Sequence, residues 1–301
     1  MTSESSIRPP LWKCYLDLCK PNVVAEMIFT AVVGMLLAVP GMPPLDTVIY
    51  GSLGIALAAA SAAALNHYID RDIDEDVWFN KDRPLPKKFL TPPEVITFAL
   101  TLGVISMLLL IFMVNTLTAI LTFVSLFGYA VIYTHYLKRL TSQGIVVGGI
   151  FGATPPLLGW CAVTGEIHPH ALLLVLIIFV WTPPHFWPLA IVRRKGYEQA
   201  FLKYGIRMLP VTHSLEHTRM QILLYSIILL LVTLWPYLTG MSGLIYLASA
   251  IPLGLVFIYF AVLMMRNKDD KTAIRTFWYS IVYITLLFAA LLIDHYFKFT
   301  L

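Results

Sequence analysis

The chain has 301 residues, of which 58% are hydrophobic and only 13% charged, and its mean hydropathy is +0.78. Soluble domains carry about 25% charged residues, so this composition excludes a soluble globular protein and predicts an all-α integral membrane protein. The net charge of +4 comes from Lys and Arg in loops beside apolar segments, so it is not a nucleic-acid signal and no nucleic-acid partner is expected. The first twenty residues lack a short apolar core followed by small residues, so neither a signal peptide nor a transit peptide is expected. Cys14, Cys19 and Cys161 show no metal-ligand spacing.

In chain order, apolar stretches of roughly twenty residues fall at 23–39, 45–69, 93–114, 117–136, 145–163, 171–191, 220–238, 244–265 and 277–296. They predict about nine transmembrane helices in contact with the lipid bilayer. The connections between them alternate in charge. Arg8, Lys13 and Lys20 precede the first helix, and Arg71, Lys81, Arg83, Lys87 and Lys88 follow the second. Lys138 and Arg139 follow the fourth, and Arg193, Arg194, Lys195, Lys203, Arg207 and Arg219 the sixth. Arg266, Lys268, Lys271 and Arg275 follow the eighth, so 20 of the 21 basic residues share one side and only Lys298 is on the other. The positive-inside rule makes that side, and the N-terminus, cytoplasmic, with a bacterial inner membrane as the expected address. One transmembrane domain over 1–301 is expected, with 1–20 as a cytoplasmic segment. The long loops 70–92 and 192–219 are of the kind that carries function. They end in Arg83-Pro84-Leu85-Pro86 and Arg207-Met208-Leu209-Pro210, an echo that an internal repeat and chance explain about equally well.

The polar end of the second helix concentrates the chemistry. Asn66, Asp70 and Asp74 are spaced by four, so on a helix they form one stripe that climbs about 6 Å per step. Two carboxylates and an amide oxygen are hard donors suited to Mg²⁺, which keeps some water and takes substrate phosphates as further ligands. A solvated acidic helix end is the bland alternative, but ionisable groups adjoining a membrane segment are functional by default. Asp72 and His67 point away from the stripe and fall outside the proposed ligand set. Arg193, Arg194 and Lys195 face this acidic loop across the bundle in the expected topology. They suit phosphate or an acidic acceptor, although topology anchoring explains such a run as well.

The stretch from Asn66 to Asp74, with Arg83-Pro84-Leu85-Pro86 beyond it, resembles the first signature of the UbiA-type intramembrane prenyltransferases. Leu18-Cys19-Lys20-Pro21, Tyr133-Thr134 with Lys138-Arg139, and Gly148-Gly149 leading to Pro155-Pro156-Leu157-Leu158-Gly159-Trp160 fit the same family. Thr182-Pro183-Pro184-His185-Phe186-Trp187, followed by Met208-Leu209-Pro210-Val211, is similar to its haem-farnesylating branch in particular. Against that pattern, Gly196-Tyr197 stands where Asp-Tyr is usual and Phe79-Asn80 where Arg-Thr is usual. Gly144 replaces an Asn, and the run from Tyr197 to Met208 is about four residues longer. Glu198 is the acidic residue nearest to Gly196 that can stand in for the missing carboxylate.

The resemblance implies a UbiA-type bundle, farnesyl diphosphate and haem B as substrates, and Mg²⁺ held by Asn66, Asp70 and Asp74 as catalytic residues. It implies substrate contacts from Lys20, Arg71, Lys81, Arg83, Lys138, Arg139, His185, Arg193, Arg194, Lys195, Tyr197 and Glu198. The basic run is assigned to haem propionates. His185 is a candidate ligand of haem iron or a positioner of the acceptor, though a hydrogen-bonded bundle histidine is an equal alternative. Haem A synthase or a terminal oxidase assembly is the candidate partner. Two other readings stay open: a relative with a quinone-ring acceptor, and a transporter or ion pathway, which would place its carboxylates near mid-membrane.

Overall fold

The computed structural model describes residues 9–297, so Arg8 and Lys298 of the charge map lie outside the described residues. Among the described residues the chain is helical throughout. A short amphipathic helix α1 (Leu11–Leu18) leads at Cys19 and Lys20 into α2 (Pro21–Leu37). Then follow α3 (Leu45–Ile69), α4 (Arg71–Asp76), α5 (Pro92–Met113) and α6 (Thr116–Phe127). The last of these runs on as a π-helix over Gly128–Leu137. After it come α7 (Gly144–Gly152), α8 (Pro155–Thr164), α9 (Pro169–Val192) and α10 (Arg194–Tyr204). The remaining long helices are α11 (Leu215–Thr233), α12 (Leu244–Asn267) and α13 (Asp270–Tyr296). Among the described residues eight helical runs are long and apolar enough to cross a bilayer, and α1 with α2, bent by 50°, makes a ninth when the pair is counted as one span. This is a multi-pass membrane protein.

Local sequence accounts for most of the boundaries. Thr91 and Glu94 form a capping box at the start of α5, and Asn115 caps α6 through Thr118 N. Asp269 accepts from Thr272 N at 2.6 Å and starts α13, seven residues before the apolar stretch expected there. Pro155 starts a second helical segment, so the span expected at 145–163 is one run, Gly144–Thr164, built of α7 and α8. In α9, Pro183, Pro184 and Pro188 are accommodated without a break.

Small residues set the helix spacing, as packing in lipid requires. Gly34 of α2 meets the backbone of Pro156, and Gly159 of α8 meets the backbone of Ala31, so neither position has room for a side chain. Ser61 Oγ donates to Ala99 O and Ser106 Oγ to Gly54 O, each at 2.7 Å, tying α3 to α5.

The contacts close a ring. α2 packs on α3, α3 on the π-helix, the π-helix on α7, α7 on α9, α9 on α13, and α13 back on α2. The ring surrounds a cavity, and Leu158 of α8 contributes to its wall. Pro-containing α9 supplies much of the main core, with Trp181 and Ile177 packed among Tyr283, Phe288 and Phe257.

Candidate active site

α3 ends at Ile69, and Asp70 stands between it and α4 with φ −90° and ψ 3°. The hydrogen-bond ladder nevertheless continues across the bend: Asp70 N donates to Asn66 O at 3.0 Å and Asp74 N to Asp70 O at 2.8 Å. Asn66, Asp70 and Asp74 therefore remain close together at the polar mouth of the cavity, and all three line it.

Each of the three is held by a cation from a different part of the chain. Lys20 Nζ donates to Asn66 Oδ1 at 2.8 Å, while Asn66 Nδ2 donates to Asp70 Oδ2 at 2.9 Å. Lys138, just beyond the π-helix, forms an ion pair with Asp70 Oδ1. Asp74 accepts from Asn80 at 2.8 Å and from Arg83 at 2.6 Å. Burial pushes the Asp74 carboxyl up from its usual range, against the opposing pull of Arg83. Lys20 lies in the turn before α2 with a left-handed φ of 49°.

Among the described residues no group of three or more His, Cys, Asp or Glu side chains is placed to hold a metal ion. Two carboxylates and one amide oxygen fit Mg²⁺ all the same, because that ion takes few protein ligands and completes its shell with water and phosphate. The three cations on this oxygen set are the counter-charge that a metal would replace.

Beneath this polar mouth the cavity is apolar and aromatic, with a volume of about 570 Å³, within the range of sites that enclose most of a small ligand. Tyr129 and Tyr133 of the π-helix line it with ring centroids 5.5 Å apart. His185 lies deeper in the wall, stacked between Trp181 at 4.2 Å and Phe277 at 4.8 Å. Ser280 donates its one hydroxyl hydrogen to Phe277 O at 2.5 Å, so it accepts from His185 Nδ1–H at 2.7 Å. This donor count leaves the lone pair on His185 Nε2.

The structure brings together Lys20, Asn66, Asp70, Asp74, Arg83, Lys138, His185, Arg193 and Tyr197 in one cavity wall. It does not bring the other expected contacts there. Arg71 is laid over the Tyr68 ring and bonded to Tyr68 O. Lys81 and Arg139 are exposed. Arg194, Lys195 and Glu198 lie on α10 outside the cavity wall, because a helix that turns Arg193 and Tyr197 inward carries the positions between and beyond them away. Glu198 is exposed, and a side chain at Gly196 would meet the Phe79 ring at 2.8 Å. The stand-in carboxylate is therefore not in place. Asn80 and Glu26 are additional polar residues of the wall. Glu26, an ionisable residue inside an apolar stretch, was legible by that fact alone.

The profile of the UbiA prenyltransferase family matches residues 27–292. A protoheme IX farnesyltransferase of Methylococcus capsulatus is 56% identical over 299 residues, covering 98% of this chain and 99% of that protein. Among solved structures, one described as digeranylgeranylglyceryl phosphate synthase superposes with a TM-score of 0.76 at 17% identity, covering 95% of this chain and 99% of that one. A UbiA homolog from Archaeoglobus fulgidus bound to DMAPP and Mg2+ gives a TM-score of 0.66 at 17% identity, covering 92% and 98%. With the ring of helices, the aspartates at its mouth and these matches over nearly its whole length, the chain belongs to the UbiA prenyltransferase family.

Proposed function

We propose that this protein transfers the farnesyl group of farnesyl diphosphate to a vinyl group of haem B, giving haem O and diphosphate. The observation that carries this reading is the cavity itself: an oxygen-donor and cation cluster at its mouth, an aromatic interior below, and His185 in the wall between Trp181 and Phe277. The farnesyltransferase of Methylococcus capsulatus, more than half identical over its full length, supports the same acceptor.

Bound Mg²⁺, held by Asp70, Asp74 and the Asn66 oxygen, would supply positive charge to the leaving diphosphate. Lys20, Lys138 and Arg83, already gathered there, would donate hydrogen bonds to the same phosphate oxygens as their partners Asn66, Asp70 and Asp74 turn to the metal. The allylic C–O bond breaks with its electron pair leaving on diphosphate. The faces of Tyr129 and Tyr133 stabilise the resulting allylic cation, and the apolar wall keeps stray water from it. The vinyl π pair of haem forms the new C–C bond. Water then adds to the carbon left electron-deficient and releases a proton, which completes the hydroxyethylfarnesyl group. His185 Nε2 would hold the acceptor through its iron.

The aspartates sit at one end of the bundle, where a transporter would keep its ionisable groups near mid-depth. With the polar loops cytoplasmic, farnesyl diphosphate enters from the cytoplasm of a bacterial cell across the face of its inner membrane, and a haem A synthase or terminal oxidase assembly consumes the product. Cysteines placed at Asp76 and Glu198 should be labelled from the cytoplasm, and one at Glu166 only from the other side. The identity of the product is tested by extracting pigments from membranes with and without this protein. Haem O by mass and retention supports the reading; a prenylated quinone ring in its place refutes it.

A further inference from the structure

The mouth of the cavity holds four cationic side chains, and three of them are committed. Lys20 is bonded to Asn66, Lys138 to Asp70 and Arg83 to Asp74. Arg193, the first residue after α9, lines the same cavity, but its guanidinium has no hydrogen bond or ion pair among the described residues. It is held by a surface instead: the guanidinium lies 4.7 Å from the centroid of the Phe79 ring. Phe79 in turn packs edge-on against Tyr197 at 5.2 Å.

Gly196 makes this shelf possible. It is buried in α10, and a Cβ there would come within 2.8 Å of Phe79 Cε1 and 3.2 Å of Phe79 Cδ1. The bare backbone at 196 and the large ring at 79 are therefore one device: the space that a side chain would fill on α10 is taken by a ring from the loop after α4. The result is a planar cation with its stacking face occupied and its N–H edge free, at the rim of an apolar chamber. A guanidinium in that state suits a two-pronged hydrogen bond to a carboxylate.

We infer that Arg193, laid on Phe79 in the space left by Gly196, is the single anchor for a carboxylate of the acceptor. The inference rests on the farnesyl-transfer reading above and narrows it: the anchor is one arginine and not the Arg193-Arg194-Lys195 run. The donor's diphosphate is the other anion that must enter here. Its counter-charges are the three cations at the aspartates, and Arg193 pairs with none of those carboxylates. An acceptor with propionate groups offers the carboxylate; the same porphyrin with both propionates methylated does not.

The test uses the purified full chain in lipid nanodiscs with farnesyl diphosphate and Mg²⁺, and either haem B or its dimethyl ester as acceptor. A lost charge-assisted hydrogen bond is worth about tenfold or more, so Arg193→Gln should raise KM for haem B by about that factor while KM for farnesyl diphosphate changes less than about twofold. The variant should treat the dimethyl ester as the unaltered protein does. Phe79→Leu keeps the charge and removes the shelf, and should raise KM for haem B about threefold, again without effect on the ester. An equal effect of Arg193→Gln on acid and ester, a shift confined to farnesyl diphosphate, or an unaltered protein indifferent to esterification overturns the anchor while leaving farnesyl transfer intact. Absence of any farnesylated porphyrin from the unaltered protein overturns both.

Discussion

Arg83 Nη1 lies 2.6 Å from Asp74 Oδ2, nine residues back along the chain, and folds the loop after α4 onto the acidic end of α3 and α4. Asp74 is 2% exposed, while the Arg83 side chain is 26% exposed, so water tempers the cost of losing the arginine without removing it.

Arg83→Gln should therefore lower stability by up to about 3 kcal/mol, because it leaves a buried carboxylate short of its counter-charge. The double variant Arg83→Gln with Asp74→Asn should regain most of that loss and stay inactive. Thermal unfolding in detergent, measured alongside turnover, checks both halves. An Arg83→Gln protein as stable as the original would refute the pairing.

Asp70→Ala and Asp74→Ala should each reduce farnesyl transfer by about a hundredfold or more while the protein still inserts in the membrane. Asn66→Ala should cost less, since an amide oxygen brings no charge. Chelation of divalent cations should abolish turnover, and added Mg²⁺ should restore it. Near-normal rates in either aspartate variant would move the metal site elsewhere.

A clasp joins the two long loops: Lys203 Nζ donates to Asp76 Oδ2 at 2.6 Å, and the Tyr204 hydroxyl shares its one hydrogen between Asp76 Oδ2 and, at 2.7 Å, Asp72 O. These hydrogen bonds hold the Asp76 carboxyl below its usual value. The stabilisation is thus fully present above the unfolded value near about pH 4 and is lost only as pH falls through the lower folded value. Hydrogen exchange over 71–76, corrected for intrinsic rate, should be flat between about pH 5 and 8. Lys203→Ala with Tyr204→Phe should speed it across that whole range.

Gly159→Leu and Gly34→Leu should each destabilise the bundle, by about 1–3 kcal/mol where the helices can part and more where they cannot. Both glycines meet backbone of the facing helix. Gly152→Ala, where nothing lies within 4 Å of the added carbon, is the matched control and should be close to neutral. Apparent melting temperatures of the three variants decide the matter.

Helix existence was legible because lipid-spanning length and hydropathy leave little freedom: the stretch 45–69 coincides with α3 (Leu45–Ile69). What local pattern cannot convey is partnership across the chain. Lys20 and Asn66 are 46 positions apart, and Asp70 and Lys138 are 68 apart, so the charges that hold each donor appear only with the fold. Glu198 and Lys195 looked equivalent to Tyr197 and Arg193 as members of one loop. That stretch is helical, and helical phase divides them between solvent and cavity. α1 is too short to register as a span, and Ala153-Thr154 with Pro155 divides what hydropathy alone reads as one helix.

The π-helix of Gly128–Leu137 sets the phase of the turn that follows it, Lys138–Leu140. Its wider turns accommodate a residue that an α-helix would not, and each such residue rotates the downstream chain by about 100°. Thr134 Oγ1 reaches back five positions to Tyr129 O at 2.9 Å while Nδ2 of Asn66 approaches it at 3.4 Å, so the irregular stretch is fastened to the acidic helix itself. Lys138, the first residue beyond that stretch, pairs with Asp70. Removing one residue from this stretch should turn Lys138 by about 100° and away from Asp70. In this bundle, a change that improves the local backbone and one that preserves turnover are opposed, and ordinary helix propensity would misjudge the value of every residue between 128 and 137.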